Sequence, residues 1–229
     1  MDSREKILIM EEALDRHYGA PDPPSGDPLE ILIRTILSQN TNDRNRDRAY
    51  EGLRRRFPRW ADILEAPYGE IAEAIKGGGL NHQKAKRIKE ILKWVKERWG
   101  GWSLSPLCRL PREEALSQLL SLKGVGLKTA YCVLAFGCSE DLFPVDTHIL
   151  RIMKRIGTLP PGTSASKAHE LLAPLIPQGK AVPLHLNLIR YGREVCRARA
   201  PLCGHCLFPQ ICDFRKKENG RRSSQAPRA

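Results

Sequence analysis

The chain has 229 residues, 41% of them hydrophobic, and a formal net charge of +12. That length can bury a core in one large domain or two small ones, and no apolar run approaches the roughly 20 residues of a membrane span. The charge is uneven: residues 1–30 hold three Lys/Arg against eight Asp/Glu, so a net +17 falls on the remainder, the footprint of a polyanion binder.

The opening MDSREKILIMEEALDRHYG mixes acids and bases, unlike a signal or transit peptide, so an intracellular protein is expected. Apolar residues Ile7, Leu8, Met10, Leu14 and Tyr18 recur at helical spacing, predicting an amphipathic helix over 4–18. GAPDPPSGDP (19–28) is a linker that no helix crosses. Pro28 then opens a helix over Leu29–Leu37. Asn42-Asp43 offers an N-cap for the next, which runs to about Arg56. Short helices are expected at 60–66 and 69–76, stopped by the glycines at 77–79. A longer helix over 83–99 turns Ala85, Ile88, Ile91, Leu92 and Val95 inward, and its other face carries Lys84, Lys86, Arg87, Lys89, Lys93, Lys96 and Arg98.

A loop over 100–111 precedes helices at about 112–121, 127–138, 146–156, 164–175 and 182–196. No stretch alternates with period two for long enough to form a sheet, so the expected class is all-α. No extended heptad or apolar stripe calls for a partner subunit, so a monomer is expected. The polar, basic residues 213–229 are expected to form a disordered tail.

Between two of these helices lies Leu122-Lys123-Gly124-Val125-Gly126. Two glycines one residue apart permit positive φ and a close backbone approach. Val125 can plug back between the helices, and the free N–H groups opening the second helix can bind a phosphate oxygen. Lys128 follows at once, at the start of a mostly apolar helix. It is either a surface cation or a nucleophile, for which the neutral amine is required. Asp146 lies eighteen residues further on, after Phe143-Pro144-Val145. An N-cap role holds such a carboxylate rigidly and is compatible with a catalytic one.

Seven cysteines are present. Cys108, Cys132 and Cys138 are scattered among apolar residues and read as buried thiols. Cys196, Cys203, Cys206 and Cys212 crowd into seventeen residues. In a reducing compartment that cluster points to a metal, and four thiolates suit zinc or a [4Fe–4S] cluster. Arg197 and Arg199 lie between the first two of these cysteines, and Arg190 and Arg193 precede them on a helix. As a group they favour phosphate contact.

LKGVGLKTA followed by FPVDTHI resembles the helix-hairpin-helix and Gly/Pro-Asp signature of the endonuclease III family of DNA glycosylases. Cys196-x6-Cys203-x2-Cys206-x5-Cys212 resembles the iron–sulfur loop of the same family. The resemblance runs from about Leu29 to Cys212. It implies two helical domains with the active site in the cleft between them. One is a helical barrel bearing the hairpin, over 27–139. The other combines 1–26 with 140–212 and holds a [4Fe–4S] cluster on the four cysteines. By the same resemblance Lys128 is the attacking amine and Asp146 the carboxylate, and Gly124, Val125 and Gly126 grip DNA. Ser38–Asp43 resembles the loop carrying a polar wedge, with Asn40 at the wedge position and Gln39 one residue away. Leu80, in Gly79-Leu80-Asn81, resembles a second wedge, against the alternative of a small core contact. Arg197 and Arg199 would face phosphates.

The partner implied is double-stranded DNA containing a damaged base or an abasic site. The activity implied is a glycosylase with lyase action on oxidised pyrimidines. Two alternatives remain open: another base preference, since Gln39-Asn40 and 77–83 depart from the most typical bacterial members, and a non-catalytic iron–sulfur DNA-binding protein.

Overall fold

The structure is a computed structural model and describes residues 1–216. Its described residues contain eleven α-helices, five short 3-10 helices and no strand, in agreement with the all-α expectation. No helix among them is long and apolar enough to cross a membrane. The described residues divide into two compact units, Pro24–Glu140 and Met1–Pro23 with those from Asp141 onward.

The first unit is built from α2 (Pro28–Ser38), α3 (Asp43–Arg56), α4 (Trp60–Glu65), α5 (Tyr68–Ala74), α6 (Asn81–Trp99), α7 (Arg112–Leu120) and α8 (Leu127–Gly137). Asp27 caps α2, its side chain accepting the Leu29 N–H at 2.8 Å. Asn42 caps α3 in the same way through Asn45 N–H, as its place in the sequence suggested. Helix α2 is the centre: Leu29, Leu32, Ile33, Ile36 and Leu37 are fully buried, and α2 packs along α8. Each such side chain contributes roughly 1.5–3 kcal/mol on burial. Gly52 lets α3 meet the end of α5, because a Cβ there would lie 2.3 Å from the Ala74 carbonyl oxygen.

The second unit comprises α1 (Ser3–Tyr18), α9 (Thr147–Ile156), α10 (Ala165–Leu172) and α11 (Ala181–Glu194), followed by the cysteine loop. A capping box between Asp2 and Glu5 starts α1. Its apolar face, Ile7, Met10 and Leu14, joins Ile149, Ile152 and Met153 of α9 and Leu184, Leu188 and Tyr191 of α11 in one core.

Three expectations are corrected. Lys84 is not on the outer face of α6: it is 1% exposed, because its ammonium turns inward to the carbonyls of Leu37 and Gly78. Cys108 and Cys138 are not buried thiols but a disulfide with a Cα–Cα distance of 5.0 Å. The 3-10 helix Ser105–Arg109, read from the sequence as plain loop, carries Cys108 to the C-terminal end of α8; only Cys132 of the three is a buried free thiol. Finally, residues 213–216 continue as a helical turn. Phe214 packs against the core there and Asp213 pairs with the buried Lys6 at 3.2 Å. The rest of the expected disordered tail, 217–229, lies outside the described residues.

Candidate active site and nucleic-acid interface

Helices α7 and α8 are joined by a tight turn. The Val125 N–H donates to the Leu122 carbonyl at 3.0 Å, and Val125 is buried, plugging the hairpin as its sequence suggested. Gly124 has φ +86, and a Cβ on it would meet the Arg87 side chain at 2.5 Å. A side chain there would strain the backbone and would displace the Arg87 guanidinium. Gly126 is the extended N-cap of α8 and offers no side chain to its first N–H groups. Such an uncapped N-terminus suits an anion. Lys128 stands on the first turn of α8, half-buried, with no ion-pair or hydrogen-bond partner among the described residues.

Two loops of the same unit carry unusual backbone. Among the described residues four non-glycine residues have positive φ, and two of them are Asn40 at 54° and Leu80 at 49°. Leucine is strained there, by about 1 kcal/mol or more, whereas asparagine tolerates such backbone better than most residues with a side chain. Asn40 is exposed, and Leu80 is 52% exposed although apolar; it is therefore no core contact. Gln39 differs from its neighbour. Its Nε2 donates to the Gly124 carbonyl at 3.0 Å, and its Oε1 accepts from Arg87 Nη1 at 2.7 Å. Gln39 thus ties the α2 loop to the hairpin turn and leaves Asn40 as the projecting side chain. Lys84 reaches the base of both loops from α6, donating to Leu37 O at 2.8 Å and Gly78 O at 2.7 Å.

Asp146 belongs to the other unit. It is the N-cap of α9, with φ −97 and ψ −177, and its side chain accepts the Ile149 N–H at 2.8 Å. Two buried histidines brace the residues before it. The His185 Nδ1 lies 2.7 Å from the Pro144 carbonyl; a carbonyl only accepts, so this nitrogen carries the proton. The Val145 N–H donates to His169 Nε2 at 3.0 Å, and His169 Nδ1 lies 2.8 Å from the Ala165 carbonyl. His169 is therefore held as the neutral ring, and its burial lowers its pKa to match. Neither histidine was legible as part of this site from the sequence, and neither were Lys84 and Arg87.

The four C-terminal cysteines are all free and line one cavity together with Arg155, Tyr191 and apolar residues such as Ile156, Val195 and Phe208. Arg155 Nη1 donates to Cys196 Sγ at 3.3 Å and to the Arg197 carbonyl at 2.6 Å, and its Nη2 to the Ala198 carbonyl at 3.0 Å. Arg151 holds the Cys196 carbonyl. The Tyr191 hydroxyl donates to Cys206 Sγ at 3.1 Å. Burial raises the pKa of the Cys203 and Cys212 thiols, and for both the nearby Cys196 and Cys206 add to it. Such an all-sulfur, partly apolar lining is the donor chemistry of a soft metal centre. Among the described residues no three His, Cys or carboxylate groups form a site for a single ion. Arg197 and Arg199 are exposed on this loop; the Arg197 Nε donates to the Glu194 carbonyl at 3.1 Å. Arg190 departs from the expected basic surface: it pairs with Glu194 and lies over the Tyr18 ring.

The model of the HhH-GPD superfamily base excision DNA repair proteins matches residues 33–178. Endonuclease III of Thermotoga maritima is 34% identical over 83% of this chain and 85% of its own length. The thymine/uracil-DNA glycosylase of Methanothermobacter thermautotrophicus is 30% identical over 83% of this chain and 84% of its own. A solved trapped endonuclease III–DNA covalent intermediate matches with a TM-score of 0.83 at 25% identity, over 96% of this chain and 100% of that one. Helical fold, hairpin and these likenesses define a helix-hairpin-helix DNA glycosylase. The chain belongs to the HhH-GPD superfamily of base excision DNA repair proteins.

Proposed function

We propose that this glycosylase is bifunctional, with Lys128 as nucleophile and Asp146 as the assisting carboxylate. The observation that supports it most is the Lys128 ammonium: it stands without a described partner on the first turn after the glycine hairpin. The neutral amine attacks C1′ of the damaged nucleotide, and the C1′–N bond to the base breaks as the new C–N bond forms. Positive charge builds on the sugar as the base departs, and the Asp146 carboxylate stabilises it. Loss of the ring oxygen's bond to C1′ gives a Schiff base. This acidifies the C2′ proton, whose removal expels the 3′ phosphate by β-elimination.

The partner is double-stranded DNA, and the target nucleotide leaves the stack to be reached, at a cost of a few kcal/mol. Asn40 and Leu80 are the side chains we assign to the gap, on their exposure and held backbone. Gly124, Val125 and Gly126 present the α8 N-terminus to a phosphate, and Arg197 and Arg199 add cations on the cysteine loop. Cys196, Cys203, Cys206 and Cys212 fit a [4Fe–4S] cluster as an all-sulfur set around one cavity. When bound it supplies a rigid tether for the arginine-bearing loop. The protein acts as a monomer.

Oxidised pyrimidines are the preferred substrates on this reading. A second base preference, for thymine or uracil, is favoured by the likeness to the glycosylase of that name. A panel of duplexes, each with one lesion, decides between them, run with and without hot alkali. Strand cleavage without alkali at oxidised pyrimidines is the expected result. Excision that leaves the strand whole until alkali is added would overturn the lyase step.

A further inference from the structure

Lys84 sits in a run of cations on α6, yet it is the one whose ammonium is buried, at 1% exposure. Its two acceptors stand just before two different loops, one in the last turn of α2 and one at the end of the 3-10 helix Lys76–Gly78. Leu37 lies three residues before Asn40, and Gly78 two residues before Leu80. Both of those residues hold left-handed backbone. An inward-facing ammonium is costly to desolvate and is kept only where it is well hydrogen-bonded; a methionine of similar length would fill the same space without that cost. Here the charge does what a methionine does not: it holds against one nitrogen two backbone carbonyls, one at the base of each loop. One turn further along α6, Arg87 grips Gln39, and Gln39 grips the Gly124 carbonyl. The hairpin turn and the Asn40 loop are thereby joined to the same helix.

We propose that Lys84 is a positioning residue of the excision reaction, tying the Asn40 loop to the Leu80 loop so that both enter the duplex as one unit. The inference rests on the assignment of Asn40 and Leu80 to the gap. Its logic is that of preorganisation: an intruding side chain displaced by about 1 Å loses on the order of 100-fold in rate. The strained backbone at Leu80 persists only when its surroundings over-determine it, and Lys84 supplies one contact at the base of each loop.

The test uses Lys84→Met, which keeps the stem and removes both donors, on two substrates under single-turnover conditions. One is a duplex with a single damaged base. The other is a single strand with a preformed abasic site, which has no stack to invade. Excision from the duplex is expected to fall by roughly 30-fold or more, while β-elimination on the single strand stays within about 3-fold. The loss in the double variant with Leu80→Ala should fall clearly short of the product of the two single losses, because part of what Lys84 does is to place Leu80. Beside the lesion, 2-aminopurine should brighten less with Lys84→Met than with the unaltered protein. If Lys84→Met does not fold, Lys84→Gln, which keeps an uncharged N–H donor group on a shorter stem, is put through the same comparison.

Equal losses on both substrates would overturn the proposal, since Lys84 would then support the fold alone. Unchanged excision, or losses that multiply in the double variant, would overturn it as well. An unaltered protein that excises no base from any duplex would instead remove the glycosylase reading beneath it.

Discussion

The Val145 N–H donates to Nε2 of the buried His169 at 3.0 Å, one residue before Asp146. That bond needs the neutral ring, and burial lowers the His169 pKa below its ordinary value. The unfolded chain, with an ordinary histidine near pH 6.5, binds a proton that the folded chain resists. Stability is therefore fully present above about pH 6.5 and is lost as pH falls through the lower folded value. Denaturant unfolding between pH 7.5 and 5 should show this slope, at most about 1.4 kcal/mol per pH unit for one proton. His169→Gln should flatten it, and an identical slope in that variant would show that another group is responsible.

Asp146 has two roles that one substitution separates. Its side chain caps α9 through Ile149 N–H, and asparagine caps a helix about as well as aspartate. Asp146→Asn should cost less than about 0.5 kcal/mol of stability yet lower excision by about 100-fold or more, because the charge facing the developing cation is gone. Comparable losses of stability and activity would reduce Asp146 to a cap.

Gln39 and Asn40 are neighbours with opposite consequences. Gln39→Ala leaves the Gly124 carbonyl and the Arg87 guanidinium without their partner, so the thermal midpoint should fall by the equivalent of about 1 kcal/mol. Asn40→Gly keeps the positive φ without strain and should leave stability within about 0.5 kcal/mol, while excision slows by about 10-fold. The reverse pattern would move the wedge to Gln39.

The Cys108–Cys138 disulfide closes a sequence separation of 30 residues. Its removal by Cys108→Ser should destabilise the protein by about 3 kcal/mol. Maleimide labelling of the denatured, unreduced chain should modify the five free cysteines of the seven present. Labelling of all seven would show that the bond is not formed in the isolated protein.

Much of the fold was legible because its punctuation is local. Pro28, the Asn42 cap and the glycines at 77–79 act on their own neighbours, and the helices they bound begin and end within a few residues of the expected places. The hairpin and the four-cysteine loop were legible because short fixed spacings carry them. What escaped depends on distant chain. Lys84 looks like its neighbouring cations until the carbonyls of Leu37 and Gly78 are brought to it. His169 meets Val145 across 24 residues and His185 meets Pro144 across 41. Cys108 finds Cys138 only after a 3-10 helix has turned the loop. Periodicity reports which face is apolar, not which polar group is drawn inward to satisfy a carbonyl.

The most direct test of the central claim is borohydride trapping on a duplex with an abasic site, followed by peptide mapping of the adduct. The Schiff base mechanism predicts one covalent complex with DNA attached at Lys128, and none with Lys128→Gln. No adduct with the unaltered protein, or an adduct on another lysine that survives in Lys128→Gln, would contradict it.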